Sequence, residues 1–317
     1  FLRFQLMFKR EDFLKQRYGG AQPNISQTII KTFDILLPPL AEQRKIAYVL
    51  STVQKAIEQQ DKLIRHSTEL KKALMQKLFT EGTKGEKQKQ TEIGLVPESW
   101  EVVRMGEYLE KTKLKDPTKN PNEEFIYVDV SSVNNELFKV TEANRLLGKE
   151  APSRARKLIQ IDDVIFATVR PTLKRIAKIT EDLDNQVCST GYCVLKPVKS
   201  KLNSEFLYQY LQMDYFIARI EKLQRGASYP AVRDSDVKGM KIPFPKYSEQ
   251  VSIGNYLKTL DQKKNIANSK KQILSGLFKT LLHELMTGER RVNEIEFEAL
   301  TKAYKIKEQP LSMAAEE

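Results

Sequence analysis

Between Arg154 and Lys178 the chain carries seven basic residues, Arg154, Arg156, Lys157, Arg170, Lys174, Arg175 and Lys178, against two acidic ones, Asp162 and Asp163. The surrounding region, residues 91–247, holds 25 basic and 22 acidic side chains and is nearly balanced. Cations concentrated on one segment of a balanced region mark a face, and the chemistry open to such a face is polyanion binding. An arginine fork can span guanine O6 and N7, whereas lysine mostly neutralises phosphate as a point charge. The stretch from Val164 to Arg175 reads as a strand ending in a turn fixed by Pro171, which would project Arg170, Lys174 and Arg175 from a rigid edge. A second candidate runs from Gln224 to Arg233. There Gly226 permits close backbone approach, and Arg225, Ser228, Tyr229 and Arg233 offer donors. Lys111, Lys113 and Lys115 form a third, weaker patch. The plainer alternatives are a solvated hairpin for the first segment and a packing loop for the second.

Other chemistries lack their residues. There is no G-x-x-x-x-G-K-[ST] phosphate loop and no G-x-G-x-x-G opening a helix after a strand. An amino-methyltransferase would need a cofactor loop and an Asn/Asp-Pro-Pro-aromatic tetrapeptide, but Pro38-Pro39 lies between Leu37 and Leu40. His66 and His283 sit in helical stretches far from paired carboxylates. Cys188 and Cys193, with four intervening residues and no neighbouring His, read as reduced core thiols rather than metal ligands. Asp162-Asp163, before an apolar strand, reads as a turn. These absences point to a protein with no catalytic residues and no metal site of its own.

The 317 residues, 40% hydrophobic and 30% charged with a net charge of +12, suit a folded chain of about two domains. No stretch approaches the ~18 apolar residues of a membrane helix, so no membrane partner is expected. The first ten residues are too broken by charge for a signal peptide. The absence of a leading Met suggests that the sequence begins inside a longer protein. Two cysteines exclude a disulfide scaffold and favour a reducing, cytoplasmic setting.

The elements that must position the basic segments are organised by an internal repeat. With an offset of 207 residues, Pro23 falls on Pro230, Lys31 on Lys238, Ile35 on Ile242 and Pro38 on Pro245. Glu42-Gln43 falls likewise on Glu249-Gln250 and Leu78 on Leu285. Each copy leads into a long arm without internal proline. A 3-4 heptad frame fits the second arm at Ile253, Leu257, Leu260, Lys264, Ala267, Lys271, Leu274, Phe278, Leu281 and Leu285. Shifted back, the frame gives Ile46, Leu50, Val53, Ile57, Gln60, Ile64, Ser67, Lys71, Leu74 and Leu78. That is the seam of a coiled coil, with polar interruptions that cost stability but fix register. From Ile46 to Leu78 each arm spans roughly 48 Å. Two such arms in one chain supply each other's partner, and a large intervening domain favours antiparallel pairing. Two core helices of an all-α domain would be the bland alternative. Gly82 and Gly288 suit helix stops.

The expected fold is α+β: a mixed α/β domain flanked by two long helices pairing as an antiparallel coiled coil. The segments are 1–40, then a first arm at 41–81 and a polar, unstructured linker at 82–92. The globular domain follows at 93–247, a second arm at 248–288, and a fraying tail at 289–317. Within the domain, strands are expected at 125–130, 163–168, 176–179 and 191–195, with one helix over about 204–223.

Together these segments resemble the specificity subunit of type I restriction-modification systems. The resemblance rests on Ile35 to Ala47 (ILLPPLAEQRKIA) leading into the first arm, and on Ile242-Pro243-Phe244-Pro245 with Glu249-Gln250 leading into the second. Val96-Pro97-Glu98-Ser99-Trp100 and Thr168-Val169-Arg170-Pro171 add to it. It implies two target-recognition domains alternating with two long helices, so that each domain reads half of a split site in double-stranded DNA. It further implies a subunit without a catalytic centre that docks methyltransferase (M) subunits and recruits restriction (R) subunits. S-adenosylmethionine, ATP and Mg would belong to those partners. Residues 1–40 would then be the tail of a first recognition domain, with roughly 110 residues of it absent. The expected DNA contacts are Arg154, Arg156, Lys157, Arg170, Lys174, Arg175, Arg225, Ser228, Tyr229 and Arg233. A coiled-coil assembly protein whose globule binds another protein, or an enzyme with an unrecognised site, are the competing readings.

Overall fold

The computed structural model describes residues 1–15 and 25–294. Pro23 of the repeat and most of the tail lie outside the described residues. The chain divides into two compact units, the first residues 1–64 with 266 onward and the second residues 65–265.

Two helices dominate, Leu40–Glu81 and Tyr247–Thr287, of 42 and 41 residues, or about 60 Å each. In the first unit they pair antiparallel around Phe4, Ile46, Val49, Leu50, Val53, Leu281, Leu285 and Met286, all buried. Ile57, Leu274 and Phe278 are half-buried against this cluster, and Ile64 is also half-buried. Lys271 meets Asp61 at 2.6 Å. In the second unit Met75, Leu78, Ile253 and Leu257 are buried in the domain core, with Leu74 packed against it and Leu260 half-buried. Residues of the heptad frame thus contribute to the core of each unit.

The lysines that interrupt the frame are partnered, whereas the Gln60 side-chain oxygen is buried without a hydrogen bond. Lys71 lies 2.7 Å from both oxygens of Asp261 and 3.0 Å from Gln212 Oε1. Lys264 donates to the Glu136 carbonyl at 3.2 Å. Both long helices stop at a left-handed glycine, Gly82 (φ +68) and Gly288 (φ +78), as the left-handed cap requires. At the start of the second helix, Glu249 accepts from the Thr83 amide (2.9 Å), the Thr83 hydroxyl (2.8 Å) and the Trp100 indole (3.1 Å).

The globular domain is built on two four-stranded sheets. In one, Ile176–Lys178, Val164–Ala167, Tyr192–Pro197 and Leu109–Glu110 lie in that order, all antiparallel. In the other the order is Asn144–Leu147, Glu124–Val128, Gln186–Ser189 and Ala155–Ile159, with the central pair parallel. Alternation decides the packing of the first sheet. Val164, Phe166, Cys193 and Leu195 face a core shared with the helices, while Ile165, Ala167, Tyr192 and Val194 face a second apolar cluster with Val128, Ile159 and Cys188. A strand buried on both faces reads as the continuous apolar run Val164–Ala167. Both cysteines are buried and free. Burial pushes the Cys193 thiol up to about 12 and Cys188 higher still.

Two expectations need correction. Residues 204–223 form two helices, Ser204–Leu211 and Asp214–Glu221. The break falls where the Gln212 carbonyl accepts from Lys174 at 3.4 Å and the Gln212 side chain turns to Lys71 and the Tyr208 carbonyl. The expected linker is not structureless. Gly82 and Gly85 turn the chain into a hairpin in which Gln88–Thr91 pairs with Gly94–Pro97. Its polarity reflects exposed strand faces rather than disorder.

Candidate nucleic-acid interface

Three segments distant in sequence converge on one edge of the domain. The Thr168 amide donates to the Gly191 carbonyl at 2.8 Å, and the Val232 amide to the Thr168 carbonyl at 2.9 Å. The Thr190 amide donates to the Arg154 carbonyl at 2.8 Å. Isolated bridges join Val169 to Ala231 and Arg225 to Ala231. The two loops singled out by charge and glycine content, 168–175 and 224–233, thus close on each other, with Arg154 tied to the same edge.

The ten expected contacts divide in two. Arg154, Arg170, Ser228, Tyr229 and Arg233 are exposed, Tyr229 to 72%. Arg170 lies with its guanidinium carbon 5.2 Å from the centroid of the Tyr229 ring. The other five are bonded within the fold, Arg225 while itself exposed. Lys157 donates to Asp234 and to the Tyr192 carbonyl, both at 2.6 Å. Lys174 pairs with Asp214, and Arg175 donates to the Val130 carbonyl at 3.0 Å. Arg156 donates to its neighbour's carbonyl at 2.8 Å and faces Asp116 at 3.4 Å. Arg225 pairs with Asp236. The expectation that Lys174 and Arg175 project with Arg170 is therefore corrected. Their charges meet Asp214 and a buried-edge carbonyl, and only Arg170 of the three stands out from the turn.

Sequence reasoning missed the acids that do this, because each is remote in sequence from the cation it holds. Hydrogen bonding to Lys174 keeps the Asp214 carboxyl below its ordinary range, and Arg225 does the same for Asp236. Lys111 and Lys113 are exposed. The Lys113 carbonyl accepts from the Leu158 amide and the Lys115 amide donates to the Arg156 carbonyl, both at 3.0 Å. The weaker basic patch thus lies beside the strand that carries Arg156 and Lys157.

The backbone of the turn is unusual. Arg170 (φ +47, ψ 55) and Lys174 (φ +53, ψ 41) are both left-handed and flank a single 3-10 turn, Pro171–Leu173. Gly226 has φ +92, and a Cβ there would lie 3.0 Å from the Tyr229 carbonyl oxygen. What this edge offers is a rigid backbone bearing exposed arginines and one aromatic ring. Asp214, Asp234 and Asp236 beside it are each ion-paired.

A fold of two paired long helices with a two-sheet domain that presents cations on one edge defines a recognition module. The family model for the type I restriction modification DNA specificity domain matches residues 1–65 and 97–275. The specificity subunit of the type I restriction enzyme MjaVIII from Methanocaldococcus jannaschii is 30% identical over 314 residues, covering 94% of this chain and 71% of that protein. The putative MjaX specificity subunit from the same organism is 30% identical over 291 residues, covering 90% and 66%. The crystal structure of the type I restriction-modification system S subunit from M. genitalium superposes with a TM-score of 0.62 over 89% of this chain and 71% of that one, at 19% identity, and so shares the fold. The chain belongs to the type I restriction-modification DNA specificity family. Among the described residues no helix is long and apolar enough to cross a membrane.

Proposed function

We propose that this chain is the sequence-specific DNA-recognition subunit of a type I restriction-modification complex, directing M and R subunits to a bipartite site. The observation that carries the reading is the convergence of loops 168–175 and 224–233 and of Arg154 on one edge, with the exposed cations pointing outward and their neighbours neutralised internally. In this reading the domain at 93–247 reads one half-site, and the helices at 41–81 and 248–288 are the spacer on which the methyltransferases dock. S-adenosylmethionine, ATP and Mg belong to the partner subunits, and the complex works in the cytoplasm where its DNA is.

Residues 1–40 are read as the tail of another recognition domain. The helix order Leu2–Phe8, Arg10–Lys15, Gln27–Lys31 parallels Ser204–Leu211, Asp214–Glu221, Asp234–Lys238. Residues 34–37 stand where the second copy has the strand Lys241–Phe244, yet Leu36 and Leu37 are 57% and 72% exposed. In the second copy that strand is covered by pairing with Glu101–Arg104.

The test is duplex binding as a function of salt. If Lys111, Lys113, Arg154 and Arg233 each neutralise one phosphate, the log–log slope is about −0.9 per contact, and affinity falls about 100-fold between 50 and 200 mM salt. Binding of random duplex that is insensitive to salt would reject the reading in favour of a protein-binding assembly module.

A further inference from the structure

We propose that Arg170 and Tyr229 act as one specificity-determining unit, Arg170 reading a guanine of the half-site and the Tyr229 ring positioning its guanidinium. This rests on the DNA-recognition reading above and narrows it to a residue and a base.

Of the arginines on the edge, Arg156 and Arg225 have their guanidinium groups bonded within the fold, as has Arg175 in the adjoining turn. Arg154, Arg170 and Arg233 remain exposed, and among these only Arg170 has a described contact that orients its head, the Tyr229 ring at 5.2 Å. A tyrosine left 72% exposed gains little from burial, so folding does not account for its place. A cation–π contact attracts a guanidinium to the ring face while leaving N–H edges open. Two parallel donors are what guanine O6 and N7 require, and lysine cannot supply them.

The backbone supports the same assignment. A residue with a Cβ rarely occupies the left-handed region, and such conformations persist where the surroundings over-determine them. Here the second loop does so. The Arg170 amide donates to the Pro230 carbonyl at 2.7 Å, and Val169 bridges Ala231. The loop that carries the ring therefore also sets the backbone of the arginine it faces. At the other end of the turn, Lys174 is anchored to Asp214. Arg170 is thus held at its backbone and at its head, which lowers the side-chain entropy lost on binding.

The experiment is selection of a random-sequence duplex library by the full chain purified with its methyltransferase subunits, followed by sequencing. The variants are Arg170→Ala, Arg170→Lys, Tyr229→Leu and Tyr229→Phe, with thermal melts to establish that each folds. The wild type is expected to enrich a motif containing one G·C pair that both Arg170 variants release. Affinity for the wild-type site should fall about 10- to 100-fold in Arg170→Ala, while Arg170→Lys keeps the salt slope. Tyr229→Leu should release the same position and Tyr229→Phe should retain it, an outcome that a merely structural tyrosine would not give. An unchanged motif in Arg170→Ala, or a Tyr229→Leu motif altered nowhere or at another position, overturns the inference while leaving DNA recognition standing. A wild type that enriches no motif overturns the recognition reading itself.

Discussion

Replacing Lys71 by methionine should be among the most destabilising single changes in the coiled-coil seam, and replacing Asp261 as well should restore most of the loss. The Lys71 and Asp261 side chains are 10% and 20% exposed and meet at 2.7 Å. The Lys71 ammonium also reaches Gln212, and Asp261 also accepts from Gln209 at 2.8 Å. Lys71→Met leaves that carboxylate with one neutral donor in a mostly buried seam. Breaking a buried pair from one side costs about 3–5 kcal/mol. The remaining solvent access of Asp261 places the expectation near about 3 kcal/mol. Lys71→Met/Asp261→Leu removes both desolvation costs, so the double variant should lie within about 1 kcal/mol of wild type and the cycle should show strong coupling.

Guanidinium melts can follow this through far-UV dichroism and through Trp100, the single tryptophan, which is buried in the same core as Met75 and Leu257. Burial holds the Lys71 ammonium below its ordinary value, outweighing the attraction of Asp261. Above the folded-state value the unfolded chain binds the extra proton. Wild-type stability should therefore gain a rising contribution as pH climbs toward the ordinary lysine range, and Lys71→Met should lack it. A single variant costing less than about 1 kcal/mol, or a double variant no better than the worse single, would refute the claim that the pair is balanced by mutual neutralisation.

Three further outcomes are expected. Gly226→Ala places a Cβ at φ +92 and 3.0 Å from the Tyr229 carbonyl; it should lose about 1 kcal/mol of stability and weaken duplex binding more than the melt suggests, checked by anisotropy beside thermal unfolding. Glu249→Ala strands the buried Trp100 indole N–H and frees the Gly82-Thr83 turn. A loss of about 2–3 kcal/mol is expected, with a red-shifted tryptophan emission and partial recovery in Glu249→Gln. Asp163 is buried beside Gln160, Lys196 and Asn203, and burial raises its carboxyl to about 6. A raised acid stabilises the fold fully below about pH 4 and loses that contribution as pH rises through 6. Asp163→Asn keeps the acceptor for the Gln160 amide and should gain on wild type across that window. The gain should reach about 2 kcal/mol at pH 7, after discounting for solvent reaching the adjoining cavity, as read from denaturant midpoints at pH 4 and 7.

The long helices were legible because one rule governs them over many turns. A heptad frame is redundant, so Gln60, Lys71, Lys264 and Lys271 could interrupt it without hiding it. The strand Val164–Ala167 was legible for a related reason: burial on both faces leaves an uninterrupted apolar run. The break at Gln212–Met213 was not, since Phe206, Tyr210 and Ile217 keep helical spacing across it. At the break the Gln212 carbonyl accepts from a lysine 38 residues away, a partner no local pattern reveals. The hairpin at Gln88–Thr91 was hidden because a strand exposed along its length carries the polar composition of a linker.

The same asymmetry governs the recognition edge. Charge counting singled out the segment 154–178, because clustering cations costs repulsion and is visible in a window of 25 residues. It could not tell which of them face outward. That depends on where Asp214, Asp234 and Asp236 arrive in three dimensions, and each neutralises a cation 11 to 77 residues away in sequence. The consequence is physical rather than bookkeeping. With Lys157, Lys174 and Arg225 paired internally, the edge carries less repulsion and can be held rigid. The unpaired arginines then protrude from a nearly neutral platform instead of a cationic sheet. A platform of that kind limits the non-specific phosphate attraction that would otherwise mask differences between bases. On the proposed reading, discrimination then depends on the few side chains left free, Arg170 first among them.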